Sequence, residues 1–266
     1  MLPFSIVIIT LNEESNIRHC IRAARALSND IIVVDAGSTD ATQQIAEQEG
    51  ARVYFAGWKN YGSARNFGAL QARHDWILAL DADERPAPGL IVTLEDMSTP
   101  LSHQILRFRR HNFIAQQRIR YGVPGSDKVT RIYNRKFASW DTSPVHEKLR
   151  GENLSTVFIP GQLRHYCFSS LNAYRLKMEH YAWLSAEKYY ADGRKPGAVK
   201  KYFSAFFNAL KSFVFCLGFL EGRKGWTIAR IIARYSWLKY FYLEQMLQEK
   251  KQTNLVVGLK KMEAAN

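Results

Sequence analysis

The chain has 266 residues, 47% of them hydrophobic, with a formal charge of +13 and a pI near 9.7. That content gives a packed core for one large domain, or for one domain with a helical appendage, and excludes a disordered chain. Three cysteines, Cys20, Cys167 and Cys216, lack the spacing of a zinc site or disulfide framework and fit a reducing cytoplasm, while the charge calls for anionic partners: nucleic acid, acidic lipid headgroups or phosphorylated substrates.

The first apolar run, Phe4–Thr10, is too short and too weakly preceded by positive charge for a secretory signal, and reads as a strand. Further apolar runs at 31–35, 51–55 and 76–80 are separated by helix-length segments. This alternation predicts parallel strands joined by right-handed crossovers, with helices covering both faces. Asp40 and Gln43 have the spacing of a capping box for the second helix, which puts the turn 36–39 at the sheet's carboxyl edge. Beyond Pro100 the alternation stops. Short β-like runs at 105–109, 129–133 and 157–159 mix with turn residues Gly122, Pro124 and Gly125. From Ser169 the chain turns helical and aromatic, with helices expected over 171–190, 198–220 and 226–249.

The run 76–80 ends on Asp81-Ala82-Asp83-Glu84. Three acids in four residues repel one another unless a cation or donated hydrogen bonds compensate, and Mg²⁺ and Mn²⁺ prefer oxygen ligands. The same acids can also simply cap a turn. In a parallel sheet all carboxyl ends face one way, so Thr10-Leu11-Asn12-Glu13, Asp35 and Asp81 with Asp83 are expected to converge. Neither G-x-G-x-x-G at the first strand–helix junction nor G-x-x-x-x-G-K-[ST] anywhere is present, which argues against a Rossmann dehydrogenase or a P-loop NTPase.

Four segments, 8–14, 33–40, Ala64-Arg65-Asn66 and 80–84, resemble in that order the family 2 glycosyltransferases of the GT-A fold. The resemblance implies a Rossmann-like, mostly parallel α/β sheet flanked by helices, with a helical carboxyl-terminal extension. It also implies a nucleotide-sugar donor, usually uridine-linked, and an inverting single displacement. The expected division is a catalytic domain over 1–168, with a nucleotide-sugar half at 1–100 and an acceptor half at 101–168, followed by a helical region over 169–266. By the same resemblance Thr10, Leu11, Glu13, Asp35 and Arg65 hold the nucleoside. Asp81 lies near the ribose or metal, and Asp83 is the metal ligand. Arg65 has its own rationale, since a guanidinium stacks on a base or forks onto phosphate, although it can equally be a solvent-facing helix residue.

Inversion needs a base on the face of the sugar opposite the leaving diphosphate. Pro144-Val145-His146-Glu147 supplies Glu147 as the expected base, with His146 as its neighbour. Asp141, after a Trp140 able to pack on a sugar, is the alternative base. Of Lys128, Arg131 and Arg135, Arg131 is the preferred cation for the diphosphate. His165 is a candidate second metal ligand, Mn²⁺ suiting imidazole better than Mg²⁺, or else an ordinary histidine at a strand end.

Aromatic and aliphatic residues from Phe203 to Leu217 recur at helical spacing beside Lys200, Lys201 and Lys211, a pattern able to lie on an anionic membrane or to pack on the catalytic domain or on another subunit. With 76–84, the Pro144–Glu147 element and 218–222, the chain resembles the lipopolysaccharide inner-core β-1,4-glucosyltransferases. That resemblance implies a metal-dependent inverting hexosyltransferase, using UDP-glucose and a heptose acceptor, peripheral on the cytoplasmic face of the inner membrane. The alternatives are transfer to polyprenyl phosphate, capsule or protein glycan, and, outside enzymes, a basic RNA-binding protein, which the ordered acidic strand ends disfavour.

Overall fold

The computed structural model describes residues 3–57, 60–97, 103–143, 147–195 and 197–263. In chain order the elements are β1 (Phe4–Thr10), α1 (Ile17–Ala24), β2 (Ile31–Asp35), α2 (Thr42–Gln48), β3 (Arg52–Phe55), α3 (Tyr61–Leu70), β4 (Trp76–Asp81), β5 (Glu84–Pro86) and α4 (Pro88–Asp96). There follow β6 (Gln104–Ile114), β7 (Gln117–Arg118), β8 (Ser126–Asn134), β9 (Ser139–Trp140), β10 (Leu149–Arg150), β11 (Ser155–Phe168), α5 (Leu171–Ala191), α6 (Ala198–Leu210) and α7 (Arg223–Glu263). A π-helical turn at Lys211–Phe215 and a tight 3-10 turn at Gly218–Glu221 stand between α6 and α7.

The chain forms two compact units, Met1–Phe113 with Ser126–Cys167, and Ile114–Gly125 with Phe168–Asn266. The first unit carries the α/β sheet, in the order β3-β2-β1-β4-β8-β6-β11-β5. Its first four strands are parallel, and β8 joins β4 antiparallel. β1, β2 and nearly all of β4 are buried, as the continuous apolar runs require of strands covered on both faces. Period-two alternation then sorts the side chains. Phe4, Ile6, Ile8, Val33, Leu78 and Leu80 meet α1 and α4 on one face, whereas Val7, Ile9, Ile32, Val34, Ile77 and Ala79 meet α3 on the other. Each of the Val, Ile, Leu and Phe side chains among them contributes about 1.5–3 kcal/mol by burial. Gly68 is what lets α3 approach: a Cβ there would lie 2.4 Å from Val7 Cγ1 and 2.8 Å from Val34 Cγ2.

Three expectations change. The run at 157–159 belongs to one long strand, β11, which continues through Gly161 with Ile159 and Leu163 buried on the same face; Gly161 takes a φ of +96°, and its missing Cβ leaves room for the Leu90 backbone. The helix expected over 198–220 stops at Leu210, and the chain continues through the wider π-helical turn and the tighter 3-10 turn. The capping box does not close: Asp40 Oδ1 accepts from Thr42 N at 3.0 Å, but Gln43 Nε2 donates instead to Asp35 Oδ2 at 2.7 Å, because the buried carboxylate competes for the amide. In the second unit, Ile114–Gly125 is tied to the helical segment by Gly122 N to Cys216 O at 2.8 Å and by Arg120 N to Glu221 Oε1 at 2.6 Å.

Candidate active site

Parallel register places Thr10 opposite Asp35, and Ile9 opposite Asp81, so three strand ends finish in one row. The loops that follow are stitched together. Asn12, in the left-handed region at φ 54°, accepts from Thr39 N through Oδ1 at 2.8 Å and donates its own N–H to Ser38 Oγ at 2.8 Å. Glu13 N donates to Thr42 Oγ1 at 2.8 Å, and Glu13 Oε2 accepts from Asn16 Nδ2 at 2.8 Å. Leu11 is exposed at the tip.

Asp35 shapes this edge from within. It is fully buried, and accepts from Gly37 N, Ser38 N and Gln43 Nε2, and from the Ser38 hydroxyl. Burial pushes its carboxyl pKa up, but these hydrogen bonds, the Ser38 hydroxyl foremost, outweigh it and hold the group below its ordinary value. Thr10 Oγ1 is buried without a hydrogen-bond partner.

Arg65 lies on the buried face of α3 with Gly62, Gly68 and Ala69, so it is not a solvent-facing residue. Its Nη2 donates to Asp81 Oδ1 at 2.6 Å, its Nη1 contacts Glu147 Oε1, and its guanidinium sits 4.7 Å from the Trp140 ring centroid. Asn66, one residue on, pairs with the Trp140 backbone in both directions, at 2.8 and 2.9 Å. Trp140 is accordingly 5% exposed and packs edge-on to Tyr133, so it floors Arg65 rather than facing a sugar.

The second oxygen of Asp81 accepts from Arg131 Nη2 at 2.6 Å, and the same nitrogen reaches Glu84 Oε1 at 2.8 Å. Arg110 Nη1 also donates to Glu84, at 2.9 Å. Burial alone would raise the Asp81 pKa, yet Arg131 and Arg65 hold it well below the usual carboxylate range. Arg131, expected to meet a diphosphate, is instead buried among these acids, and its pKa is raised by Asp81 and Glu84 against the opposing effect of burial. Arg135 donates to the Ala69 and Ala72 carbonyls at the end of α3, and Lys128 lies over Phe158. Removing Arg131 leaves Glu84, fully buried, with one guanidinium in place of two. Arg131→Met is expected to cost about 2–3 kcal/mol, less than the 3–5 of a lone buried pair because Arg110 remains. Its melting temperature should fall by roughly 5–10 °C, and an unchanged midpoint in thermal or urea unfolding would count against the network.

Asp83 follows β4 at the turn into β5, where β11 crosses antiparallel with His165 opposite Glu84 and Tyr166 N donating to Asp83 O at 2.9 Å. This pairing sets His165 Nε2 at 3.2 Å from Asp83 Oδ2. His165 Nδ1 bonds Asn112 Oδ1 at 2.7 Å, which fixes the ring and aims Nε2 at the carboxylate. Burial would depress the imidazole pKa, but Asp83 beside it carries it above its ordinary value. Asp83 Oδ1 is buried and has no hydrogen-bond partner. One orphaned carboxylate oxygen beside an oriented imidazole fits a divalent cation that draws its remaining ligands from water and phosphate. Among the described residues no three His, Cys, Asp or Glu gather into an all-protein cage.

Arg65, Asp81, Arg131 and Glu147 are thus joined in one cluster, and Asp83 with His165 in another. His146 lies outside the described residues. Asp141 is occupied by its own loop, accepting from Ser143 N at 3.3 Å and Lys148 N at 3.2 Å. Sequence reasoning missed Arg110 and gave Glu84 no role of its own. The adjacent pair Arg109-Arg110 was the available signal, because neighbouring strand residues point to opposite faces.

Residues 5–178 match the family described as Glycosyl transferase family 2. An uncharacterized glycosyltransferase of Rickettsia bellii is 27% identical over 256 residues, 91% of this chain and 86% of that protein. The lipopolysaccharide core biosynthesis glycosyltransferase LpsC of Rhizobium meliloti is 27% identical over 215 residues, 76% of this chain and 77% of that protein. Among solved structures, glucosyl-3-phosphoglycerate synthase from Mycobacterium tuberculosis, in complex with Mn²⁺ and UDP-glucose, is 25% identical with a TM-score of 0.33. That match covers 42% of this chain and 44% of that one, so the chain spans under half the length of that structure. The chain belongs to glycosyl transferase family 2.

Proposed function

We propose that the protein is a GT-A, metal-dependent inverting hexosyltransferase that moves glucose from UDP-glucose to a heptose of the lipopolysaccharide inner core, at the cytoplasmic face of the inner membrane. The observation that carries the reading is the orphaned Asp83 oxygen beside His165, next to the arginine-locked carboxylate of Asp81. Similarity to a lipopolysaccharide core glycosyltransferase of Rhizobium meliloti supports the acceptor class.

In this reading Asp83 and His165 hold Mn²⁺ or Mg²⁺, which when bound offsets the negative charge of the departing diphosphate. The stitched loops after β1 and β2, with Thr10, Leu11, Glu13 and Asp35, form the nucleoside edge. Arg65 and Arg131 keep Asp81 ionised and fixed in place, so that edge needs no rearrangement when substrate arrives. Glu147 takes the proton of the acceptor hydroxyl, whose oxygen bonds to the anomeric carbon as the carbon–oxygen bond to the diphosphate breaks and UDP leaves with the electron pair. Arg65 engages Oε1 of Glu147, so Oε2 is the oxygen assigned to that proton.

The deciding experiment incubates the protein with a panel of nucleotide sugars and with lipopolysaccharide truncated at successive core sugars. Linkage analysis of the product should find β-linked glucose on heptose, dependent on Mn²⁺ or Mg²⁺. A product on polyprenyl phosphate or another glycan, or no product with any donor, would replace this reading.

A further inference from the structure

Helix α6 turns polar groups inward and its aromatic rings outward. Beside the half-buried Ala205, Ala209 and Leu210, Lys201, 8% exposed, donates through Nζ to Glu244 Oε2 at 2.6 Å, and Asn208 Nδ2 donates to the buried Ser236 Oγ at 3.0 Å, both partners lying on α7. Its outward residues are apolar. Tyr202, Phe203 and Phe206 are each more than 60% exposed, and Phe203 stacks on Phe207 at 6.1 Å with rings 13° apart. A helix packed against its own protein normally shows the opposite arrangement, because exposed aromatic surface is unfavourable in water.

The exposed surface continues beyond α6. Val214, Phe215 and Leu217 on the π-helical turn and just after it, Phe219 and Leu220 on the 3-10 turn, and Trp226 at the start of α7 are all exposed. So concentrated an apolar surface marks a binding site. Its charge identifies the occupant. From Gly193 to Leu220 there is no Asp or Glu, while Lys200 and Lys211 are exposed at either end of the α6 face. The next acid, Glu221, turns inward to accept from the Arg120 and Tyr121 backbone N–H groups, and Arg223 and Arg230 add exposed positive charge.

We infer that α6 with its two following turns is a monotopic membrane-docking surface, lying in the plane of a leaflet that carries anionic phospholipid. Aromatic and aliphatic side chains enter the acyl boundary while flanking lysines and arginines meet the headgroups. Among the described residues no helix is long and apolar enough to span a bilayer, which fits docking in the plane. A second copy of the chain is a poor occupant, since a two-fold contact would bring these cations together with no acid on the face to neutralise them. The inference deepens the proposed transfer to a lipid-anchored acceptor and rests on that reading for its purpose, but its test does not require the transfer.

Full-length protein is mixed with vesicles of phosphatidylglycerol and phosphatidylcholine, or of phosphatidylcholine alone, and floated on a density gradient, with light scattering of the free protein in parallel. The wild type should float with the anionic vesicles and be released by salt. Phe206→Glu with Phe215→Glu, and separately Lys200→Glu with Lys211→Glu, should each weaken partition at least about tenfold while circular dichroism stays unchanged. Failure of the wild type to float overturns the inference, as does equal flotation of both double variants. A wild-type dimer that the aromatic variants convert to monomer, without vesicle binding, also overturns it, in favour of a second copy. Sugar transfer to a deacylated, water-soluble acceptor separates the two claims. Flotation without any transfer removes the proposed function and leaves the docking surface standing, whereas transfer without flotation does the reverse.

Discussion

Asp83→Ala is expected to lower sugar transfer by about 100-fold or more and to abolish Mn²⁺ binding measured by calorimetry in the presence of UDP. The expectation rests on Asp83 Oδ1, a buried oxygen left without a partner, and on His165 Nε2 at 3.2 Å from the other oxygen. A carboxylate serving only as a turn former would spend its oxygens on nearby N–H groups, as Asp141 does with Ser143 and Lys148. The purely structural account therefore makes a different forecast. If Asp83 exists to pair with His165, both Asp83→Ala and His165→Ala lower stability and neither alters the Mn²⁺ titration. An Asp83→Ala protein that binds Mn²⁺ as the wild type does would end the metal assignment, whatever its residual rate.

The parallel half of the fold was legible because its determinants are local. Phe4–Thr10 and Ile31–Asp35 are found at the bounds their apolar runs define, since a strand covered on both faces reads as a nearly continuous apolar run. The direction of the strand ends followed from topology alone, and the Thr10–Asp35 register places them in one row. What the sequence did not disclose is how charges choose partners across long separations. Arg65 contacts Glu147 over 82 residues and Arg131 reaches Glu84 over 47, and no local spacing encodes either. Trp140 could be read as a sugar platform or a core residue, and Asn66, by holding its backbone, made it the latter. Likewise the lysine pair 200–201 looks uniform in sequence, yet Lys201 turns inward to Glu244 while Lys200 stays in solvent.

Glu147→Gln tests the other half of the proposed chemistry. The amide keeps the size of the side chain and a carbonyl oxygen for Arg65, but it cannot accept a proton from the sugar hydroxyl. Turnover should fall by about 10²–10⁴ with UDP affinity and KM for the donor little changed, the pattern of an interaction made only in the transition state. The contact between Arg65 and Glu147 supplies the rival account, in which Glu147 only orients the guanidinium that fixes Asp81. Under that account Glu147→Gln weakens UDP binding and Arg65→Lys reproduces its effect, because both act by loosening the nucleoside edge. The pH profile divides the two: a base lost from the reaction removes the acid limb of the kcat profile, whereas a loosened pocket leaves that limb in place and scales the whole curve down. Full turnover in Glu147→Gln would pass the role of base to another carboxylate. Among the described residues beyond Pro100, Asp141 is the next candidate by position, and it would first have to leave the Arg150 side chain, 3.2 Å from its Oδ2, and the backbone of its own loop.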